Sequence, residues 1–211
     1  PVCGNYRSYE ICSMAPPSSG GIALVQILNI LENIDLGKLD HNSEEYLKTL
    51  ISAMDYAYRD RAKFLGDPEF FEVPQDLLTS KKYADEIYHQ IKEQKYPSKV
   101  IVNTLEGEET THFSILDKWG NAVSNTYTLN TAYGSGIIPT GTGILMNNEM
   151  DDFSSKPGYP NAYGLIGSEA NKIESKKTPL SSMSPVIVFR DYKPYLITGS
   201  PGGSTIITSV L

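Results

Sequence analysis

The feature that most constrains this chain is a threonine pair, Thr110-Thr111, standing where the sequence changes character. The residues before it, Leu105-Glu106-Gly107-Glu108-Glu109, are charged and loop-like. Those after it, His112-Phe113-Ser114-Ile115-Leu116-Asp117, read as a strand. Turn residues Lys118-Trp119-Gly120-Asn121 and a second strand, Ala122 to Thr128, follow. A polar loop feeding a strand-leading threonine suits a peptide bond that cleaves itself. Cleavage before Thr110 frees an α-amine that can act as general base for the same residue's hydroxyl. With a pKa of about 7.7–8.0, a useful fraction of that amine is neutral near pH 7. The same residues also suit an ordinary hairpin, and the pair alone does not decide. A three-residue loop, Lys118-Trp119-Gly120, sets Asp117 opposite Asn121 and therefore Thr110 opposite Thr128. In that register Thr128 either orients the Thr110 hydroxyl or forms a purely structural cross-strand pair.

The threonine pair divides the chain into a helical segment, 1–109, and a β-rich one, 110–211. In the first, residues 1–15 carry a possible strand pair around Tyr9, Ile11 and Met14, and Pro16-Pro17-Ser18-Ser19-Gly20-Gly21 is a loop. Ile22 to Ile34 reads as a buried helix. Asn42 with Glu45 resembles a capping box opening a helix that runs to about Leu65, with Leu47, Leu50, Ile51, Met54 and Tyr58 at helical spacing. A third helix is expected over Lys81 to Glu93, and 95–109 is a polar linker. The second segment predicts strands at 110–117, 121–129, 143–147, 184–190 and 194–199. Its long connection, 149–180, is of a length that is usually functional or disordered.

No apolar run approaches the ~18 residues of a membrane span. A net charge of −7 without a dense Lys/Arg stripe argues against a nucleic-acid partner. Cys3 and Cys12 are compatible with a pair or with two free thiols. The chain opens on Pro1 without a methionine or a signal peptide and stops inside an apolar run, so it reads as an internal piece of a longer protein.

Three further clusters carry chemistry. Gly199-Ser200-Pro201-Gly202-Gly203-Ser204 follows a strand and precedes a helix-like run, which suits either an oxyanion hole at Gly202 and Gly203 or a structural turn. Asn147-Asn148-Glu149-Met150-Asp151-Asp152-Phe153 gathers carboxylates beside glycines; a solvated loop, a metal site and an ammonium site all fit it. Ser181-Ser182-Met183-Ser184-Pro185 offers hydroxyls suited to a carboxylate, or to capping. His41, His89 and His112 are widely spaced and receive no catalytic role.

These motifs occur in one order, with Tyr127-Thr128-Leu129-Asn130 between the first two, and the series resembles the γ-glutamyltranspeptidases. The resemblance covers the whole chain: the Pro16-Pro17-Ser18-Ser19-Gly20-Gly21 loop and Tyr58-Arg59-Asp60-Arg61 also look like the family's large subunit. It implies an α+β fold, an αββα sandwich of the N-terminal nucleophile hydrolase type, incomplete here. It implies a proenzyme that splits between Glu109 and Thr110, making 1–109 the end of a large subunit and 110–211 the start of a small one. Thr110 is then the nucleophile of both processing and turnover, oriented by Thr128, with Gly202 and Gly203 as oxyanion hole. Asn130, Glu149 and Asp152 bind the donor's α-amino group, Ser181 and Ser182 its α-carboxylate, and Tyr163 belongs to a lid. The implied substrates are glutathione and other γ-glutamyl compounds, with water, amino acids or dipeptides as acceptors. No cofactor or metal is implied. The remainder of the chain is the implied partner, and the location periplasmic or at the cell surface.

The chain departs from the family pattern in places. The family's carboxylate-binding arginine belongs to an early part of the large subunit that this chain lacks. Thr205 stands where many relatives have arginine, and Glu109 where glutamine or asparagine is frequent. A related acylase, a poly-γ-glutamate-cleaving enzyme and a non-catalytic homologue are the alternatives.

Overall fold

The computed structural model describes residues 1–93, 109–161 and 165–211. The polar linker expected at 95–109 therefore lies outside the described residues, except for Glu109, and Tyr163 lies outside them too.

Two N-terminal strands, β1 (Val2–Tyr6) and β2 (Tyr9–Ser13), form a tight hairpin. Its register sets Cys3 opposite Cys12, with Cα atoms 4.1 Å apart, and the two are joined in a disulfide. The pairing that the sequence left open is thus decided by strand register. Helix α1 (Gly20–Leu31) follows, and apart from Leu28 all its residues are buried, in keeping with its almost wholly apolar sequence. Gly20 and Gly21 let its first turn sit against backbone. A Cβ on Gly20 would lie 2.4 Å from Ser184 Oγ, and one on Gly21 2.4 Å from the Met14 carbonyl.

Helix α2 (Glu44–Phe64) begins one residue later than the capping box predicts. Ser43 is the cap, its hydroxyl accepting from Tyr46 N–H at 3.2 Å, while Asn42 takes the left-handed conformation that asparagine tolerates. The buried line of α2 also differs from the large apolar residues picked from sequence. Ile51 and Leu47 are exposed, and Ser52, Ala53, Ala57 and Arg61 face inward. Small side chains at 53 and 57 allow close packing of α2 on α1. The short α3 (Gln75–Leu78) and α4 (Lys81–Lys92) complete the helical layer, α4 capped by Ser80.

The hairpin of β3 (Thr111–Leu116) and β4 (Ala122–Tyr127) forms a separate two-stranded sheet. Strands β5 (Val186–Arg190) and β6 (Lys193–Thr198) extend the first sheet, in the order β1-β2-β5-β6, all antiparallel. Both sides of Thr110 thus share one sheet, because β2 pairs with β5. The main core lies between that sheet and the helices: Ile11 and Val186 meet Leu24, Ile27 and Ile30 of α1, Ala53 and Ala57 of α2, and Ile87 of α4. Burying such a Leu or Ile side chain contributes about 1.5–3 kcal/mol.

No strand forms at 143–147. Isolated backbone bonds, Ser135 N–H to the Met146 carbonyl and Met146 N–H to that of Ile137, replace a ladder there. Gly141 and Gly143 both take positive φ and break the extended backbone. The connection at 149–180 is anchored by the buried Asn171. Its Nδ2 donates to the Asp152 carbonyl, its Oδ1 accepts from Leu180 N–H, and its own carbonyl accepts from Ser154 N–H. A last short helix, α5 (Ile206–Val210), buries Ile206 and Ile207. No helix among the described residues is long and apolar enough to cross a membrane.

Candidate active site

The β3–β4 hairpin places the threonine. Its ladder pairs Thr111 with Tyr127 and Leu116 with Ala122, which carries Thr110 opposite Thr128, as the three-residue loop requires. Gly120 supplies the positive φ (+90°) that closes this loop. Thr110 is buried, and its hydroxyl donates to Thr128 Oγ1 at 3.3 Å. The same Thr128 oxygen accepts the Asn130 N–H at 2.9 Å.

One face of this hairpin is polar along its length. His112 Nδ1 meets Thr126 Oγ1 at 2.8 Å and His112 Nε2 meets Ser114 Oγ at 3.0 Å. Ser114 and Ser124 donate to the β6 carbonyls of Ile197 and Thr198, at 3.2 and 2.9 Å. The His112 ring lies over Gly199, where a Cβ would fall 2.2 Å from Nδ1. His112 is thus a strut between hairpin and β6, and burial pushes its pKa below the usual imidazole value. This docking brings Thr110 beside the turn that follows β6.

In that turn Gly202 has φ +133° and Gly203 φ +51°, conformations that favour glycine. A 3₁₀ turn, Gly203–Thr205, leads into α5. The Gly202 carbonyl accepts from both the N–H and the hydroxyl of Thr205. The N–H groups of Gly202 and Gly203 meet no acceptor among the described residues. Tyr58 of α2 holds the turn from behind, its hydroxyl donating to the Ser204 carbonyl at 2.6 Å.

Arg61, one turn further along α2, serves the opposite wall. Its Nη2 donates to Ser182 Oγ at 2.9 Å and its Nε to Ser19 Oγ at 3.0 Å. The Pro16–Gly21 loop clasps the serine segment: Ser19 N–H and hydroxyl both donate to the Ser181 carbonyl, Ser181 N–H donates to the Pro17 carbonyl, and Ser18 Oγ donates to the Met183 carbonyl.

The carboxylates arrive on a 3₁₀ turn, Glu149–Asp152. Asn148 locks its start, accepting at Oδ1 from Thr131 N–H and hydroxyl and donating from Nδ2 to Asp151. Its carbonyl accepts from Asn130 Nδ2 at 3.2 Å. Burial, with a hydrogen bond to Asp152, pushes Glu149 up to about 8. Burial also raises Asp152, while the hydrogen bond to Glu149 and the positive charge of Arg61 oppose the rise. Two carboxyls in this arrangement hold a proton near neutral pH and give it up to solvent when a cation binds beside them.

A single cavity is lined by Thr110, Thr128, Asn130, Glu149, Asp152, Ser181, Ser182 and Gly203, joined by Arg61, Asn161 and Leu165. Of the site residues expected from sequence, Gly202 stands next to this lining without being part of it. Arg61 and Ser19 fall in the two stretches that resemble the family's large subunit, but sequence reasoning assigned them no site role. The available signal for Arg61 was a cation continuing the line Ala53, Ala57 on the buried side of a helix. Among the described residues one cluster has metal-ligand spacing, Cys3, Glu10 and Cys12, and its two sulfurs are already bonded to each other.

The Gamma-glutamyltranspeptidase family matches the chain over residues 1–211. The chain belongs to the gamma-glutamyltranspeptidase family. The glutathione hydrolase proenzyme of Escherichia coli (strain K12) is 54% identical across 100% of this chain and 37% of its own length. That of Pseudomonas sp. (strain A14) is 49% identical, again over 100% of this chain and 37% of its own length. The chain therefore spans about 37% of the length of these gamma-glutamyltranspeptidase relatives. Among solved structures, the cephalosporin acylase of Bacillus halodurans superposes with a TM-score of 0.72 at 24% identity, over 94% of this chain and 34% of the acylase. That likeness is one of fold. The expected α+β architecture is the one found, and the acylase shares its fold.

Proposed function

We propose that the protein carrying this chain is a γ-glutamyltranspeptidase and glutathione hydrolase that matures by splitting between Glu109 and Thr110. The observation that carries this reading is the cavity itself. A buried threonine hydroxyl, held by a second threonine, opens onto a pocket with two carboxyls on one side and two serines on the other. An α-amino acid donor presents an ammonium and a carboxylate in the same way.

In maturation, Thr110 Oγ1 attacks the Glu109 carbonyl and displaces the Thr110 nitrogen. Water then hydrolyses the resulting ester, leaving Glu109 a carboxylate and Thr110 a free amine. In turnover, that amine takes the hydroxyl proton as Oγ1 attacks the donor's γ-carbonyl. In this reading the Gly202 and Gly203 N–H groups receive the oxyanion. The proton passes to the leaving amine, and a γ-glutamyl ester remains on Thr110. Water or an amino-acid or dipeptide acceptor attacks the ester and regenerates the hydroxyl. Glu149, Asp152 and Asn130 receive the donor ammonium, and Ser181 and Ser182 the carboxylate. Glutathione is the donor that the relatives' names support. The Cys3–Cys12 disulfide supports an oxidising location, periplasmic or extracellular.

Mass analysis of the full-length protein tests the reading. A subunit beginning at Thr110 is expected, and Thr110→Ala should leave the chain intact. A wild-type chain that stays intact yet releases the anilide from a γ-glutamyl anilide would refute the mechanism.

A further inference from the structure

We propose that Arg61 is a positioning residue of the donor pocket: it turns the Ser182 hydroxyl into a donor aimed at the substrate's α-carboxylate and, through Ser19, holds the neighbouring Ser181 in place. The proposal rests on the functional reading above and deepens it.

The argument is one of hydrogen-bond polarity. A guanidinium only donates, whereas a serine hydroxyl has one O–H and two lone pairs. Ser182 Oγ accepts from Arg61 Nη2 at 2.9 Å, so its O–H must point elsewhere, and it meets no acceptor among the described residues. Ser181 Oγ likewise accepts, from Met183 N–H at 3.0 Å, and its O–H has no acceptor among them either. Arg61 also reaches Ser181 indirectly. Its Nε donates to Ser19 Oγ, whose hydroxyl donates in turn to the Ser181 carbonyl at 2.8 Å. Arg61 thus sets the Ser182 hydroxyl directly and holds the Ser181 backbone through Ser19, while Met183 N–H sets the Ser181 hydroxyl; each serine is left with a hydrogen to give. Two such donors suit an anion.

Charge points the same way. Arg61 is 6% exposed and lines the cavity, yet no carboxylate lies within 4 Å of it among the described residues. Asp152 is the carboxylate that acts on it across the pocket. A buried cation without an ion pair is costly unless an anion joins it. The donor carboxylate, seated on Ser181 and Ser182, is that anion.

The test uses full-length, processed protein and two anilide donors, γ-glutamyl-4-nitroanilide and its analogue lacking the α-carboxylate, 4-aminobutyryl-4-nitroanilide. For each, KM and kcat are measured in wild type, Arg61→Lys, Arg61→Met, Ser182→Ala and the Arg61→Met/Ser182→Ala pair. Arg61→Met should cut the preference in KM for the carboxylate-bearing donor roughly 10- to 150-fold, the range for a bond to a charged group. Arg61→Lys, which keeps the charge and loses the fork, should fall between and guards against a Met variant that does not fold. The double variant should lose clearly less preference than the product of the two single losses, because the Arg61–Ser182 bond is counted in both. Equal losses on both donors, or additive losses in the pair, would overturn the proposal and leave Arg61 a scaffold residue. Wild-type protein that turns over neither donor would strike down the functional reading, and this inference with it.

Discussion

Replacing Thr128 by valine separates orientation from stability. Valine keeps the β-branched shape that a strand end accommodates and removes only the oxygen. That oxygen accepts two bonds, from the Thr110 hydroxyl at 3.3 Å and from Asn130 N–H at 2.9 Å. The second loss burdens the folded state as a whole. An N–H left without its partner costs about 1–3 kcal/mol, which should appear as a lower melting temperature. The first loss falls on the nucleophile. A long neutral hydrogen bond is worth about 0.5–1.5 kcal/mol, roughly 2- to 12-fold in rate. A nucleophile that drifts by about 1 Å costs up to about 10²-fold. Turnover should therefore fall about 10- to 100-fold, and self-cleavage should slow as well, since the same oxygen attacks in both. Thr128→Ser, which restores the hydroxyl, should recover most of both. The assay is anilide release by the processed protein, with a gel time course for cleavage and a thermal melt on the same samples. If Thr128→Val cleaves and turns over within about twofold of wild type while melting lower, Thr128 is a structural pair and the orienting role is wrong.

Gly203→Ala places a side chain at φ +51°, a conformation costing about 1–2 kcal/mol for a non-glycine residue, and crowds the N–H groups of the turn. Turnover should drop by more than about 10-fold, towards the 10²–10³ of a lost oxyanion donor, with a smaller change in donor KM; wild-type turnover would move the oxyanion site elsewhere. Glu149 holds its proton up to about 8, against 4.5 when unfolded. Its contribution to stability is thus fully present below about 4.5 and is lost as pH rises through about 8. Glu149→Gln should flatten that part of the wild-type melting curve against pH. It should also move the acid limb of the donor kcat/KM profile to lower pH, because no proton need leave before the ammonium binds. Parallel pH profiles for the two proteins would contradict this.

The sequence by itself determined the local elements and one long-range fact. Apolar periodicity and caps are short-range properties, so α2, α4 and the β3–β4 hairpin were legible to within a residue or two, and α1 to within three. Loop length sets hairpin register, so the pairing of Thr110 with Thr128 followed from Lys118-Trp119-Gly120 alone. The ordered motifs named the family and most of the cavity's residues. Tertiary structure decided the rest. The β2–β5 pairing joins residues 10–12 to 187–189, and no local pattern encodes a partner so distant. The buried side of α2 was set by what α1 could accommodate, which favoured Ala53 and Ala57 over Leu47 and Ile51. The pairing of Cys3 with Cys12 needed the strand register that brings their Cα atoms to 4.1 Å. Above all, Arg61 reads in sequence as part of a family-like stretch on a helix, with no role attached to it. Only the fold shows it buried between Ser19 and Ser182, where the direction of each hydrogen bond depends on three segments far apart in the chain.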